Sequence, residues 1–322
     1  MMNGPPLRRT PDVPSSTNVP GLRINSGVNY ATAKVLEHLK KGIGQSKRYY
    51  MKAYGKSPLI HAYKTLSRYA GIFNNFKDTV LIPGGGNKLS KITTGHIDRH
   101  FWNLIEDGAS EKTIAVNASA LNKFFHAFGR YDLVEYINET RAAWRESAIP
   151  SSRTEPFVDP ERVILSMRFP YHAGAVIQYL TGARVADIRK VCEWVRENQD
   201  STEIRILKSK GGRDRVIDFS KRLHHLERIR DAVHVLRGGD IDWPAFLRAY
   251  TKEVKASAKK NREIYTGPHA FRVNYANNRY EELAPRSMNS REEEETLTAI
   301  TEELGHSRIS MAKYYIPAFR QA

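Results

Sequence analysis

Near the end of this 322-residue chain, Leu304-Gly305-His306 is followed, nine residues after the histidine, by Tyr315. Three further segments upstream carry residues of the same chemical interest. They are Thr181-Gly182-Ala183-Arg184-Val185-Ala186-Asp187, the run Lys208-Ser209-Lys210-Gly211-Gly212, and Pro268-His269-Ala270-Phe271-Arg272. Each has an ordinary reading by itself: a surface ion pair for the arginine, a solvated turn for the lysines, packing for the tyrosine. Taken together, the residue types suit work on a phosphodiester. An arginine fork donates two hydrogen bonds to a phosphate and stays charged, so Arg184 and Arg272 could clamp both non-bridging oxygens as negative charge builds there. A phenol, with a pKa of about 10, is a nucleophile only once its proton has been taken.

Local signals indicate the elements that must hold these residues. Helical patterns cover about 159–168, 171–182 and 184–194, with Gly182 ending one helix and Arg184 opening the next. Residues 203–207 and 215–219 alternate as two strands of a hairpin, with Lys208, Ser209 and Lys210 at its turn. Helices follow at about 221–236, 243–260, 269–282, 296–304 and 309–316. Pro268 stands at a helix start, and His269 and Arg272, three apart, face one site. The acidic run Glu292 to Glu295 reads as a solvated loop or a helix start. Asp187, one short step from Arg184, suits orienting an arginine better than reacting.

The first half reads as a helical bundle. Leu59, Tyr63, Leu66, Ala70 and Phe73 step as one helical face, as do Ile114, Ala118, Leu121, Phe125 and Phe128. Ile97, Phe101 and Leu104 mark a helix after Gly84-Gly85-Gly86, and helices at 30–42 and 131–147 complete the bundle. Lys112, Lys123 and Arg130 fall on faces left for function. Residues 1–27, rich in Pro, Ser and Gly, are expected to form a flexible basic lead. The proline-flanked stretch at 148–158 reads as an extended linker. The expected organisation is therefore a lead at 1–27, a helical domain at 28–147, a linker at 148–158, and a mixed second domain at 159–322.

Lys and Arg total 51 against 35 Asp and Glu, a formal charge of +16. That surplus favours a polyanion. Nucleic acid comes first, because neutralising phosphates releases counterions. An anionic membrane comes second, but no basic amphipathic helix stands out to support it. With 40% hydrophobic and 27% charged residues, the composition is that of a folded globular protein. The single cysteine, Cys192, excludes an internal disulfide and a thiolate zinc site, which fits a reducing compartment. No apolar run approaches the roughly 20 residues of a membrane helix, and the start lacks a signal-peptide core. The expected location is cytoplasmic, associated with the nucleoid. No cluster of Asp, Glu and His has metal-ligand spacing, and no cofactor or metal is expected.

The second half resembles the catalytic domain of the tyrosine recombinases, the phage integrase family. That family shows T-G-x-R-x-x-E/D, a lysine in a β-hairpin, H-x-x-R, and L-G-H with a tyrosine nine residues on. The matching positions are Arg184 with Asp187, Lys210, His269 with Arg272, and His306 with Tyr315. In the first half, Thr93-Thr94-Gly95-His96-Ile97 and Ser119-Ala120-Leu121-Asn122-Lys123-Phe124-Phe125 are similar to weaker motifs of the helical core-binding domain. The resemblance implies a mainly α fold: a helical core-binding bundle and a mixed α+β catalytic domain with a small antiparallel hairpin.

It also implies roles. Tyr315 is the nucleophile that forms a 3′-phosphotyrosine, and His269 is a base or hydrogen-bonding partner. His306 contacts the phosphate, and Lys210 protonates the departing 5′ oxygen. Tyr314 and Lys208 remain alternatives to their neighbours, with the family spacing favouring Tyr315 and Lys210. The stretch between Arg272 and His306 is about ten residues longer than the family leads one to expect, and the excess is placed at about 284–295. The implied activity is site-specific recombination or integration without metal or ATP. The implied partners are a double-stranded DNA site, three further copies in a tetramer on two sites, and accessory DNA-bending or directionality proteins. Two other readings stand beside it: a type IB topoisomerase-like enzyme, and a DNA-binding protein without activity.

Overall fold

The computed structural model describes residues 19, 23, 26–54, 57–78, 88–151, 154–210, 212–237, 241–284, 288–316 and 319. Most of the expected N-terminal lead, the Gly84-Gly85-Gly86 loop, Gly211 of the hairpin turn and most of the tail lie outside them. The chain divides into two compact units, residues 1–152 and 153–322. Among the described residues, helices dominate and the sheet has two strands.

The first unit holds α1 (Val28–Leu39), α2 (Lys47–Tyr54), α3 (Tyr63–Phe76), α4 (Thr94–Glu106), α5 (Glu111–Phe128) and α6 (Tyr131–Glu146). The central member is α5, whose expected stripe Ile114, Ala118, Leu121, Phe125 and Phe128 is buried throughout. Ser110 caps its start by accepting from the Thr113 amide at 3.3 Å. The ring of Phe124 stacks on Phe73 of α3 at 4.4 Å between centroids, and Phe101 of α4 stacks on Trp144 of α6 at 4.0 Å.

One expected face is different. The chain enters α3 only at Tyr63, which is 74% exposed, while Leu59 lies outside the helix and is buried with Ile60. The core face of α3 keeps Phe73 and the half-buried Leu66 of that stripe and adds Phe76; its first two positions fail because the periodic pattern crossed a helix boundary it could not detect. The basic faces also read differently. Lys123 donates to the carbonyls of Ser57 (2.7 Å) and Leu59 (3.3 Å), and Arg130 donates to those of Leu89 (2.7 Å) and Ile92 (2.9 Å). Both fasten loops to the bundle, and of the three expected positions only Lys112 is exposed.

The second unit holds α7 (Pro160–Leu165), α8 (Tyr171–Thr181), α9 (Ile188–Glu197), β1 (Glu203–Ser209), β2 (Arg213–Asp218), α10 (Leu223–Val235), α11 (Trp243–Lys260), α12 (Ala270–Leu283), α13 (Ser290–Glu303) and α14 (Ile309–Tyr315). The strands pair antiparallel, Ile204 opposite Ile217 and Ile206 opposite Arg215, with an irregularity before Ser209. Ile204, Ile206, Ile217 and Phe219 are fully buried, placing one pleat face on the core.

Small residues on α8 (Ala173, Gly174, Ala175) let α10, α11 and α12 pack closely around it. A second core is built by α12, α13 and α14, and α12 contributes to both cores. That is why every residue from Ala270 to Tyr275 is buried, including Arg272.

Two boundaries moved. Residues 184–194 are not one helix, since a 3-10 turn, Val185–Asp187, precedes α9. The acidic run lies inside α13, which begins at Ser290. Asn289 accepts from the Arg291 and Glu292 amides at 3.0 Å, and Glu292 accepts from the Asn289 amide at 2.9 Å. The acidic side chains thus meet the positive end of the helix.

Candidate active site

Four chain segments of the second unit meet where α8, α13 and α14 end and α12 begins, beside the end of β1. Helix α8 stops at Gly182, whose φ of +58° is left-handed, and Arg184 follows in extended conformation. A Cβ at Gly182 would lie 2.5 Å from the Tyr275 ring, so close packing as well as the backbone requires glycine. Helix α13 ends in the same way at Gly305, φ +65°, and the chain leaves it at His306. His269 sits immediately before α12 and Arg272 in its first turn, while Tyr315 is the last residue of α14.

This convergence makes specific contacts. The Tyr315 hydroxyl lies 2.9 Å from His269 Nε2, and its ring centroid is 5.5 Å from His269 and 5.7 Å from His306. Tyr314 packs edge-on to Tyr315, with 5.6 Å between centroids. Arg272 is fully buried and donates to the Gly182 and Leu304 carbonyls and, at 3.0 Å, to His306 Nε2. These carbonyls belong to the C-terminal ends of α8 and α13, where helix dipoles leave partial negative charge suited to a guanidinium.

Arg184 is held from the other side. Its NH1 donates to Ser209 Oγ at 2.8 Å, Ser209 in turn donates to Asp187 Oδ2 at 2.7 Å, and Asp187 lies 3.7 Å from the guanidinium. The buried Asp187 therefore orients the arginine partly through a serine of β1. Lys210 follows β1 at the exposed turn, near enough for its charge to act on His269. Lys208, the alternative, has φ +47°. Its amide donates to Asp214 at 2.7 Å and its carbonyl accepts from Lys190 at 2.6 Å.

The electrostatics follow from crowding cations in a dry place. Burial, then Arg272, Arg184 and Lys210, push the His269 pKa down to about 4. Burial, then Arg272, Arg184, Arg215 and His269, push His306 down to about 3. Both rings are neutral at pH 7, so His269 can accept the phenol hydrogen bond and His306 can accept one from Arg272. Arg272 itself is pulled down to about 10, by burial first and then by Arg184, while the neighbouring Tyr315 works the other way. Such a cluster favours the arrival of an anion, which would relieve the repulsion among its cations.

Solved structures of other proteins share this architecture. A lambda integrase dimer bound to a COC′ core site matches with a TM-score of 0.61 at 14% identity, covering 92% of this chain and 79% of that one. A dimer of lambda integrase residues 75–356 on the same core site gives 0.57 at 16%, covering 92% and 96%. The Tn1549 transposon integrase in complex with circular intermediate DNA gives 0.53 at 16%, covering 88% and 94%. The chain has the tyrosine recombinase fold. No family model matches the sequence, and a comparison with curated proteins gave no match.

Within the tyrosine recombinase fold, three residues at this site escaped the sequence reading. Ser209 holds Arg184, and its signal was its place at the end of a strand beside the lysine turn. Glu303 accepts from Tyr275 (2.6 Å) and Arg279 (2.8 and 2.9 Å), fixing the end of α13. Nothing in the acidic sequence around it set it apart. Arg215 is 1% exposed on the core face of β2, and a charged residue in phase with Ile217 and Phe219 was the signal for it. Among the described residues, no three His, Cys, Asp or Glu gather as metal ligands, and no helix is long and apolar enough to cross a membrane.

Proposed function

We propose that this chain is a site-specific DNA recombinase of the tyrosine recombinase family, with Tyr315 as its nucleophile. The observation that carries the reading is the meeting of the Tyr315 hydroxyl with His269 beside the buried Arg272 and His306. Arg184 and Arg272 hold the non-bridging oxygens of the scissile phosphate, and His306 steadies it. The Tyr315 oxygen attacks phosphorus as its proton passes to His269. The bond from phosphorus to the 5′ oxygen breaks, and Lys210 supplies the proton to that oxygen. The 3′-phosphotyrosine conserves the phosphodiester energy, so a 5′ hydroxyl from another strand can displace Tyr315 without ATP. The guanidiniums supply the charge stabilisation, and the reaction is expected without added metal.

A pKa of about 4 makes His269 a weak base in the free protein. The bound phosphate offsets Arg272 and Arg184, which raises His269 toward its ordinary value when the proton must move.

Within the first unit, residues 28–147 are proposed to grip the duplex as a core-binding domain, with 148–158 as the proposed connection, spanning the boundary between the two units, to a catalytic domain at 159–322. The similarity to integrases solved on a core site, and as a tetramer on a Holliday junction, supports DNA as the partner and a tetramer on two sites as the working assembly. The test is covalent. Protein–DNA adducts stable to boiling in detergent are recovered from cells making the protein, and the attached DNA is sequenced. The recovered site is then rebuilt as a nicked substrate that traps the adduct. Wild type is expected to form it in the absence of metal, and Tyr315→Phe to bind the site without forming it. An adduct lost in Tyr314→Phe but kept in Tyr315→Phe overturns the assignment, and no adduct from wild type overturns the reading.

A further inference from the structure

Two buried arginines grip the same pair of helix ends. Arg272 reaches Gly182 and Leu304 from α12. Arg215 reaches the adjoining carbonyls from β2: its Nε donates to Glu303 at 2.6 Å and its NH2 to Thr181 at 2.9 Å, with Gly182 at 3.5 Å. The stem of Arg215 also packs on Gly305, where a Cβ would lie 2.7 Å from its Cγ and Cδ. We propose that Arg215 is a positioning residue for strand cleavage, tying the ends of α8 and α13 together so that Arg184 and His306 face one phosphate. The inference rests on the Tyr315 reading above and assigns a role that the phosphate-binding and proton-transfer residues leave open.

Position in the chain gives the reason. Arg184 lies two residues beyond Gly182, and His306 directly follows Gly305. Any change in the separation of the two helix ends is therefore carried to both groups. Arg272 spans the same two ends from α12, but the nitrogen that reaches Leu304 is shared with His306, so the fork of Arg215 is the one given wholly to the helix ends. A packing role would not call for a guanidinium here. All its hydrogen bonds go to backbone carbonyls, NH1 has no partner among the described residues, and Arg272 and Arg184 stand near enough to oppose its charge. An apolar residue of similar volume would fill the space next to Ile217 and Phe219 without that conflict. What it could not do is bind a carbonyl from each helix end with one rigid fork.

The test uses the full chain, the nicked substrate, and two variants, Arg215→Gln and Arg215→Lys. Both are expected to bind DNA within threefold of wild type. Cleavage in a single turnover should fall about a hundredfold in Arg215→Gln, the scale at which small misplacement acts. It should fall at least about tenfold in Arg215→Lys, since an ammonium cannot span both carbonyls in one plane. A second readout is the His306 ring by nitrogen NMR in the DNA-free protein. Wild type should show one tautomer, with Nε2 unprotonated and accepting from Arg272; the variants should show a mixture. Wild-type cleavage by a folded Arg215→Gln, or full rescue by Arg215→Lys, overturns the inference and leaves the Tyr315 reading standing. So does a loss of cleavage matched by the unfolded fraction, with the His306 signal unchanged in what remains folded. Absence of an adduct from wild type sinks the Tyr315 reading instead, and the His306 spectra still decide whether Arg215 positions that ring.

Discussion

His306 receives a hydrogen bond from a guanidinium that can only donate, so its Nε2 must be unprotonated and its Nδ1 must carry the proton. His269 faces the Tyr315 hydroxyl, which can donate or accept, so there burial and the neighbouring cations, and not the contact itself, keep the ring neutral. Both pKa values lie well below the ordinary 6.5, at about 3 and about 4. Below pH 6.5 the unfolded chain therefore takes up protons that the folded one refuses, and stability falls as the pH drops toward 4. Above about pH 7 these two rings add no pH dependence. The melting temperature of the DNA-free protein should decline on acidification through that window, and less steeply when His269→Asn and His306→Asn are combined. Parallel declines would show that other groups carry the effect. Arg272→Lys should cut cleavage by a factor of about 100 or more while DNA binding persists, since one ammonium cannot replace a fork spread over two carbonyls and His306.

At the scale of elements, the site is made by helix ends rather than by helix faces. Gly182 ends α8 in a left-handed turn pressed against Tyr275, and a side chain there meets both backbone strain and a ring at 2.5 Å. Gly182→Ala is expected to lower stability by about 1–3 kcal/mol, measured by chemical denaturation, and to slow cleavage because Arg184 moves with the turn. A change below about 0.5 kcal/mol would mean that the Tyr275 ring gives way freely. The hairpin presents its own question, the choice between Lys210 and Lys208. A general acid matters only when the leaving oxygen needs a proton. Lys210→Ala should therefore slow cleavage about 10²–10⁴-fold on ordinary DNA and recover when a bridging sulfur replaces the 5′ oxygen. Lys208→Ala should do neither, and the reverse pattern would exchange their roles.

For the whole molecule, the governing quantity is charge. A formal +16 on 322 residues predicts DNA binding dominated by phosphate contacts. If six or more phosphates are neutralised, affinity should drop about a thousandfold or more between 50 and 200 mM salt. A nearly flat dependence would mean that the charge serves something else. The structure already limits which cations take part. Lys123 and Arg130 are committed to backbone carbonyls of their own unit, and Arg215 is buried with its hydrogen bonds on helix-end carbonyls, so the count of basic residues overstates those available to DNA.

The sequence alone determined what depends on neighbours along the chain. The buried stripe of α5, the pairing of two alternating strands, and the step from His269 to Arg272 within one turn all follow from helical or pleated periodicity, which no distant contact alters. Local signals failed where burial depends on remote partners. The start of α3 could not be placed, because Leu59 is apolar for reasons of tertiary packing and not of helix phase. Lys123 and Arg130 looked like free cations because their carbonyl acceptors lie 38 to 66 residues away in sequence. Only the tertiary structure decided that α12 lies between two cores, that Tyr315 returns to His269 across 46 residues, and that Arg215 joins two helix ends. The physical reason is that a charged side chain is buried at a cost that only a complete set of acceptors can offset, and those acceptors come together only when the chain is folded.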